Sequence, residues 1–228
     1  MTRKSTDLAF LLCLVRDPGQ RRHALRWWRS RRRDWLLERR LPWLVFDAIE
    51  RLTALELRGR RVFEYGSGGS TLFWQSRGAH CVSIEHDAEW FATTRARIAD
   101  TPAVDYRLIL PEEREEMGAA DPADPEGYAS DDVPTRGKSY RRYVSAIDAF
   151  PDGHFDVVLV DGRARPSCLK HSAPKVAPRG VLVLDNSDRP YYLERTRGFL
   201  AEFREVRYSG ACAIVPEFSC TSLFHRVE

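Results

Sequence analysis

Hydrophobic positions recur with two different periods along the chain. Up to residue 58 they follow helical spacing. Leu8, Leu11 and Leu12 share one face, and Trp27, Trp28, Trp35, Leu36 and Leu37 follow among arginines. Leu44, Val45, Ala48, Ile49 and Leu52 line a stretch introduced by Pro42. This predicts helices broken at Pro18-Gly19, with a further helix over 43–57. From Arg61 the pattern changes, and short apolar runs alternate with helical stretches: 61–65, 81–85, 106–110, 155–161, 181–185 and 213–215. Strands alternating with helices predict parallel β-α-β units whose sheet is covered on both faces. The unbroken run Phe155-Asp156-Val157-Val158-Leu159-Val160 suits a strand buried on both sides. The expected architecture is an N-terminal helical cap, 1–58, on an α/β domain, 59–228, with a mostly parallel central sheet. One stretch, 111–139, is rich in Asp, Pro and Gly and longer than such a connection needs, so it reads as a lid or an insertion.

Composition narrows the class. With 228 residues, 30% charged and 43% hydrophobic, the chain is expected to be a soluble globular protein. The longest apolar run, 8–15, is far short of the ~20 residues that span a bilayer, so no integral membrane protein is expected. Arg3 and Lys4 before that run outline a signal peptide, but Arg16, Asp17 and Pro18 stand where a small-residue cleavage site would follow. Five cysteines without a C-x-x-C pair argue against a zinc site or a disulfide framework and point to a reducing, cytoplasmic setting.

A net charge of +3 is too small to imply nucleic acid, which is not an expected partner, yet the charge is unevenly placed. Residues 21–40 hold nine arginines against Asp34 and Glu38, whereas 111–137 holds nine acids against Arg114 and Arg136. The arginines, interleaved with Trp27, Trp28 and Trp35, could grip RNA or an anionic membrane. The plainer reading is a cap that buries tryptophans and leaves arginines in water, with exposed cap tryptophans favouring a homodimer.

The candidate chemistry begins where the first strand ends, at Glu64-Tyr65-Gly66-Ser67-Gly68-Gly69-Ser70-Thr71. Glycines at a strand-to-helix turn let the backbone approach a ligand and present N–H groups to it. Glu64 would repel a pyrophosphate but suits a cationic ammonium and sulfonium. The second strand ends Val82-Ser83-Ile84-Glu85-His86-Asp87, which places an acid where ribose hydroxyls are held. An acid, glycines and a second acid at this spacing suit S-adenosylmethionine.

These two stretches, with 155–162 and 180–186, resemble class I S-adenosylmethionine-dependent methyltransferases over most of residues 60–190. The resemblance implies a Rossmann-like fold, with Glu64, Gly66 and Gly68 at the methionine end of the cofactor and Glu85 at the ribose; Ser67 and His86, next to these in sequence, are further cofactor-binding candidates. Ser70 stands where many members have a third glycine.

Two neighbouring strands end in Asp161 and in Asp185-Asn186, which would converge on the ligand crevice. This oxygen set suits Mg²⁺ or another divalent cation that would orient an acceptor hydroxyl, or else serves as strand-end caps. The set is similar to that of divalent-metal-dependent small-molecule O-methyltransferases. Asp161, Asp185 and His86 are the candidate catalytic groups. Arg163, Arg165 and Arg189 could clamp a substrate anion or pair with nearby acids, and Tyr140 and Tyr143 could line the pocket or pack a helix. The expected activity is O-methylation of a small molecule. Two alternatives remain open: an enzyme that cyclises or transfers the methionine arm, and an RNA- or partner-binding module on the same fold.

Overall fold

The computed structural model describes residues 3–32, 34–114, 120–132 and 136–227. Its strands in chain order are β1 (Arg61–Tyr65), β2 (His80–Glu85), β3 (Val104–Leu108), β4 (Glu112–Glu113), β5 (Lys138–Ser139), β6 (Phe155–Val160), β7 (Val176–Asp185), β8 (Phe203–Ala211) and β9 (Phe218–Arg226). Seven of them form one sheet in the order β3-β2-β1-β6-β7-β9-β8. Pairing is parallel from β3 through β7, and β9 runs antiparallel between β7 and β8. The helices are α1 (Arg3–Arg16), α2 (Ala24–Ser30), α3 (Trp35–Arg39), α4 (Phe46–Thr53), α5 (Gly69–Ser76), α6 (Ala88–Arg95), α7 (Arg141–Ser145), α8 (Arg165–Ser172) and α9 (Pro190–Leu193).

Alternation along the central strands builds two cores, one on each face. In β6, Val157 and Leu159 point into a cluster with Trp27, Phe46, Ile49 and Trp74, whereas Val158 and Val160 join Phe63, Tyr65, Tyr143 and Leu169 on the other side. The N-terminal helices therefore help to fill one of the two main cores: Phe10 meets Trp27 edge-on at 5.0 Å, and both rings belong to that cluster.

Three expectations change. The helix anticipated over 43–57 is shorter, because Val45 bridges to Cys212 and its N–H donates to Thr221 Oγ1 at 3.2 Å. The third strand begins at Val104. The strand anticipated at 213–215 is instead the connection within the β8–β9 hairpin, whose register runs from Phe203 opposite Arg226 to Ala211 opposite Phe218.

Of the acidic stretch 111–139, residues 115–119 and 133–135 lie outside the described residues. The remainder is anchored. β4 pairs antiparallel with β5, and Tyr128 is buried with its N–H on Ser167 Oγ at 3.1 Å. Glu126 pairs with Lys170, Asp121 with Arg195 at 2.9 Å and Asp132 with Arg163 at 3.2 Å. Among the described residues, no helix is long and apolar enough to cross a membrane.

Candidate functional site

β1 lies between β2 and β6, so the chain order reverses at that point and a crevice opens beyond the carboxyl ends of the strands. A cleft of about 690 Å³ occupies this place. One wall is the turn after β1. Gly66 has φ +87° and Gly68 φ +146°, both in the region that favours glycine. A Cβ on Gly66 would stand 2.9 Å from the Asp161 carbonyl oxygen, so the turn lies directly against the end of β6. A Cβ on Gly68 would come within 3.2 Å of the Trp90 ring, whose Nε1 donates to the Ser67 carbonyl at 2.8 Å. At Gly69 the Leu41 carbonyl occupies the place of a Cβ, which presses the N-terminal segment onto the start of α5.

Glu64 does not line this cleft. It alternates with Phe63 and Tyr65 onto the α5 side of β1, fully buried, where its carboxyl accepts from Thr71 Oγ1, from Ser83 Oγ at 2.6 Å and from Trp74 Nε1 at 2.9 Å. Burial pushes its pKa up despite these donors. Glu64 is thus a strut that ties β1 to β2 and α5 beneath the glycine turn, and not an open counter-charge.

Glu85 does line the cleft. Its Oε2 accepts from Ser67 N at 3.0 Å and Ser67 Oγ at 2.7 Å, and its Oε1 from the N–H groups of His86 at 2.7 Å and Asp87 at 2.9 Å. Burial pushes this carboxyl up, but the His86 imidazole and the backbone donors outweigh burial and hold it down at about 2. His86 Nδ1 lies 2.8 Å from Glu85 Oε1, and His86 Nε2 accepts from Arg163 Nε at 3.3 Å. The ring thus sits between Glu85 and Arg163.

Across the cleft, β6 and β7 end in Asp161 and Asp185. Buried Arg165 lies between them: its Nη2 bonds Asp161 Oδ1 at 3.1 Å, its Nη1 the Asp185 carbonyl and its Nε the Gly162 carbonyl at 3.0 Å. Asp185 Oδ1 accepts from Thr221 Oγ1 at 2.6 Å, and Asn186 Nδ2 donates to Ser219 Oγ at 3.0 Å. Burial and the Asp185 carboxylate drive the Asp161 pKa well up, against Arg165. Burial also raises Asp185.

The structure therefore brings Gly66, Ser67, Gly68, Glu85, His86, Asp161, Arg163, Arg165, Asp185 and Asn186 to one cleft. Tyr140 and Tyr143 are not on its wall. They are buried in the core beside α8, with His86 against their rings at 5.8 and 6.0 Å. Arg189 also lies off the wall, with Nη1 donating to Tyr192 Oη at 2.9 Å and 4.0 Å from the Asp131 carboxylate. The anticipated arginine clamp is thus turned largely toward protein acids.

Several wall residues were not anticipated: Trp35, Trp43, Trp90, Cys212, Ile214, Val215, Glu217 and Ser219. Trp90 had a local signal, because Asp87 caps α6 by accepting the Trp90 N–H at 2.8 Å and so fixes that residue in the first turn beside the glycine turn. The others meet only through the tertiary fold. Trp43 Nε1 donates to the Ala213 carbonyl at 2.9 Å, and Trp27 Nε1 to the Val215 carbonyl at 2.8 Å.

No protein-family model and no curated protein matches the chain. Among solved structures, the O-methyltransferase TomG from Streptomyces achromogenes, involved in tomaymycin synthesis and crystallised with S-adenosylmethionine, is similar over 100% of both chains, with a TM-score of 0.54 and 16% identity. A candidate O-methyltransferase from Klebsiella pneumoniae is similar over 98% of this chain and 97% of its own, with a TM-score of 0.52 and 14% identity. What the chain shares with them is the Rossmann-like class I methyltransferase fold.

Proposed function

We propose that this chain is an S-adenosylmethionine-dependent methyltransferase that acts on an oxygen of a small molecule. The observation that carries the reading is the pairing, at the switch point of the sheet, of a turn too tight for side chains at Gly66 and Gly68 with the ionised carboxylate of Glu85 on the same cleft. Turn N–H groups and the Ser67 hydroxyl suit the polar end of such a cofactor. Tyr106 Oη lies 2.6 Å from Ser67 Oγ, so the hydroxyl can turn away from Glu85 and leave Oε2 to accept from a ribose hydroxyl. With Glu64 committed beneath the turn, the cleft carboxylate whose backbone abuts Gly66 is that of Asp161.

S-adenosylmethionine supplies the electrophilic methyl group when bound. The chain's part is to hold the acceptor in line and take its proton. Asp161 fits the second role, because a carboxylate whose pKa is raised by burial and by Asp185 is a stronger base than an exposed one. Trp43, Ile214 and Val215 give the acceptor side an apolar wall.

A divalent cation fits these side chains poorly. The positive charge at Asp161 and Asp185 is already Arg165, and Asp185 Oδ1 is taken by the Thr221 hydroxyl. No step is assigned to a metal.

Calorimetry with S-adenosylmethionine tests the reading on the wild type and on Glu85→Gln. The expected result is saturable binding that weakens about tenfold or more in the variant, as for loss of a charged hydrogen-bond acceptor. Absence of binding, or equal affinity in both proteins, overturns it. Release of methylthioadenosine in place of S-adenosylhomocysteine would identify the methionine-arm chemistry instead.

A further inference from the structure

The N-terminal helical pair carries an apolar surface that the site does not use. In α1, Leu8, Leu12 and Val15 fall at i, i+4 and i+7 and share one outward face. In α2, Leu25 and Trp28 point outward, and these five side chains are between 46% and 59% exposed. The inward faces hold the two helices together, with Phe10 on Trp27 and Asp7 paired with Arg31 at 2.7 Å. Arg16, Arg21 and Arg29 in the same segment are exposed, and exposed Arg32 meets Glu38 at 3.9 Å.

Residues 1–32 contain nine basic residues and two acids. Both acids are occupied, Asp7 by Arg31 and Asp17 by the N–H groups of Gly19 and Gln20. From outside the segment, Asp47 and Glu50 meet Arg22, Glu50 meets Arg26 and Glu38 meets Arg32, so the uncompensated positive charge beside the apolar side chains comes from the exposed Arg16, Arg21 and Arg29.

We propose that this face docks on an anionic lipid surface, with Leu8, Leu12, Val15, Leu25 and Trp28 in the acyl boundary and the arginines at headgroup level. Long guanidinium side chains can reach the headgroups while their stems lie along the apolar layer, and tryptophan prefers that interface. No described helix can cross the bilayer, so the pair would lie in its plane.

Charge argues against a second copy as the occupant. A two-fold contact brings the same patch together and so sets arginine against arginine. In the acidic stretch that could complement it, Glu126, Asp132 and Asp121 are already held by Lys170, Arg163 and Arg195 of their own chain. RNA is a poorer match, because four of the five apolar side chains are aliphatic and cannot stack on bases.

The test is co-sedimentation of the full chain with phosphatidylcholine vesicles and with vesicles in which about a third of the lipid is phosphatidylglycerol. The wild type should pellet with the anionic vesicles alone. Leu12→Glu with Trp28→Glu, and separately Arg21→Ser with Arg29→Ser, should each weaken binding about tenfold or more. Raising salt should weaken the wild type as well. Failure to bind anionic vesicles overturns the proposal, as does unchanged binding by either double variant. Conversion of a dimer to a monomer by the Leu12 and Trp28 changes, without vesicle binding by the wild type, would assign the face to a second copy. The arginine pair and the lipid comparison keep the result decisive if the glutamate variant fails to fold.

Discussion

Glu85 shows how one side chain can serve both a site and the fold. Its carboxyl titrates at about 2, against an ordinary value of 4.5. The folded chain thus releases this proton more readily than the unfolded chain does. The resulting stabilisation is fully present above about pH 4.5 and is lost as pH falls toward 2. For this buried group it amounts to about 3 kcal/mol. Glu85→Gln should therefore be less stable at neutral pH by an amount of that order. It should also lose less stability than the wild type on acidification. Urea unfolding followed from about pH 6 down to about pH 3 measures both effects. Parallel curves for the two proteins would show that Glu85 is not held ionised by His86, Ser67 and Asp87.

At the scale of elements, the wall of the cleft depends on chain segments far apart in sequence. Trp43 and Ala213 are 170 positions apart and Trp27 and Val215 are 188 apart, yet each indole N–H is bonded to the facing carbonyl. Trp43→Phe keeps most of the ring and removes one bond. It should cost about 1 kcal/mol and speed amide exchange across 213–215, while β1 and β6 stay protected. Unchanged exchange there would mean that packing alone holds the wall.

The same distances explain what a reader of the sequence can see. β6 is legible because the apolar run Val157–Val160 has no reading as an exposed strand, and these residues do split between both faces. The glycine turn and Glu85 are legible because each sits at the tip of such a strand. β8 is not, because the edge strand Phe203–Ala211 mixes Arg204, Glu205, Arg207 and Ser209 into a half-exposed surface. Glu64 was legible as an acid beside the turn, but which way its side chain points depends on strand alternation and on what Thr71, Ser83 and Trp74 offer it. Ile214 and Val215 carry no local sign of a site, since only the N-terminal segment makes them one.

Across the whole molecule, opposite charges are separated between the basic N-terminal helices and the acidic stretch 111–139, and the acidic stretch is tethered in two different ways. Tyr128 is anchored by burial and by its bond to Ser167 Oγ. Asp131 and Asp132 are held by partly exposed ion pairs with Arg189 at 4.0 Å and Arg163 at 3.2 Å. Exposed pairs contribute about 0–1 kcal/mol each and are screened by salt, whereas burial is not. Raising ionic strength should therefore speed amide exchange at 131–132 severalfold and leave the Tyr128 amide unchanged. Arg163→Met should reproduce the salt effect at low ionic strength and make it smaller thereafter, because the pair that salt weakens has been removed. Arg163 also donates to His86, which sits against Glu85, so the variant should additionally perturb the Glu85 side of the cleft. Uniform acceleration of 128–132 by salt would mean that the stretch is released as one unit and that Tyr128 does not anchor it.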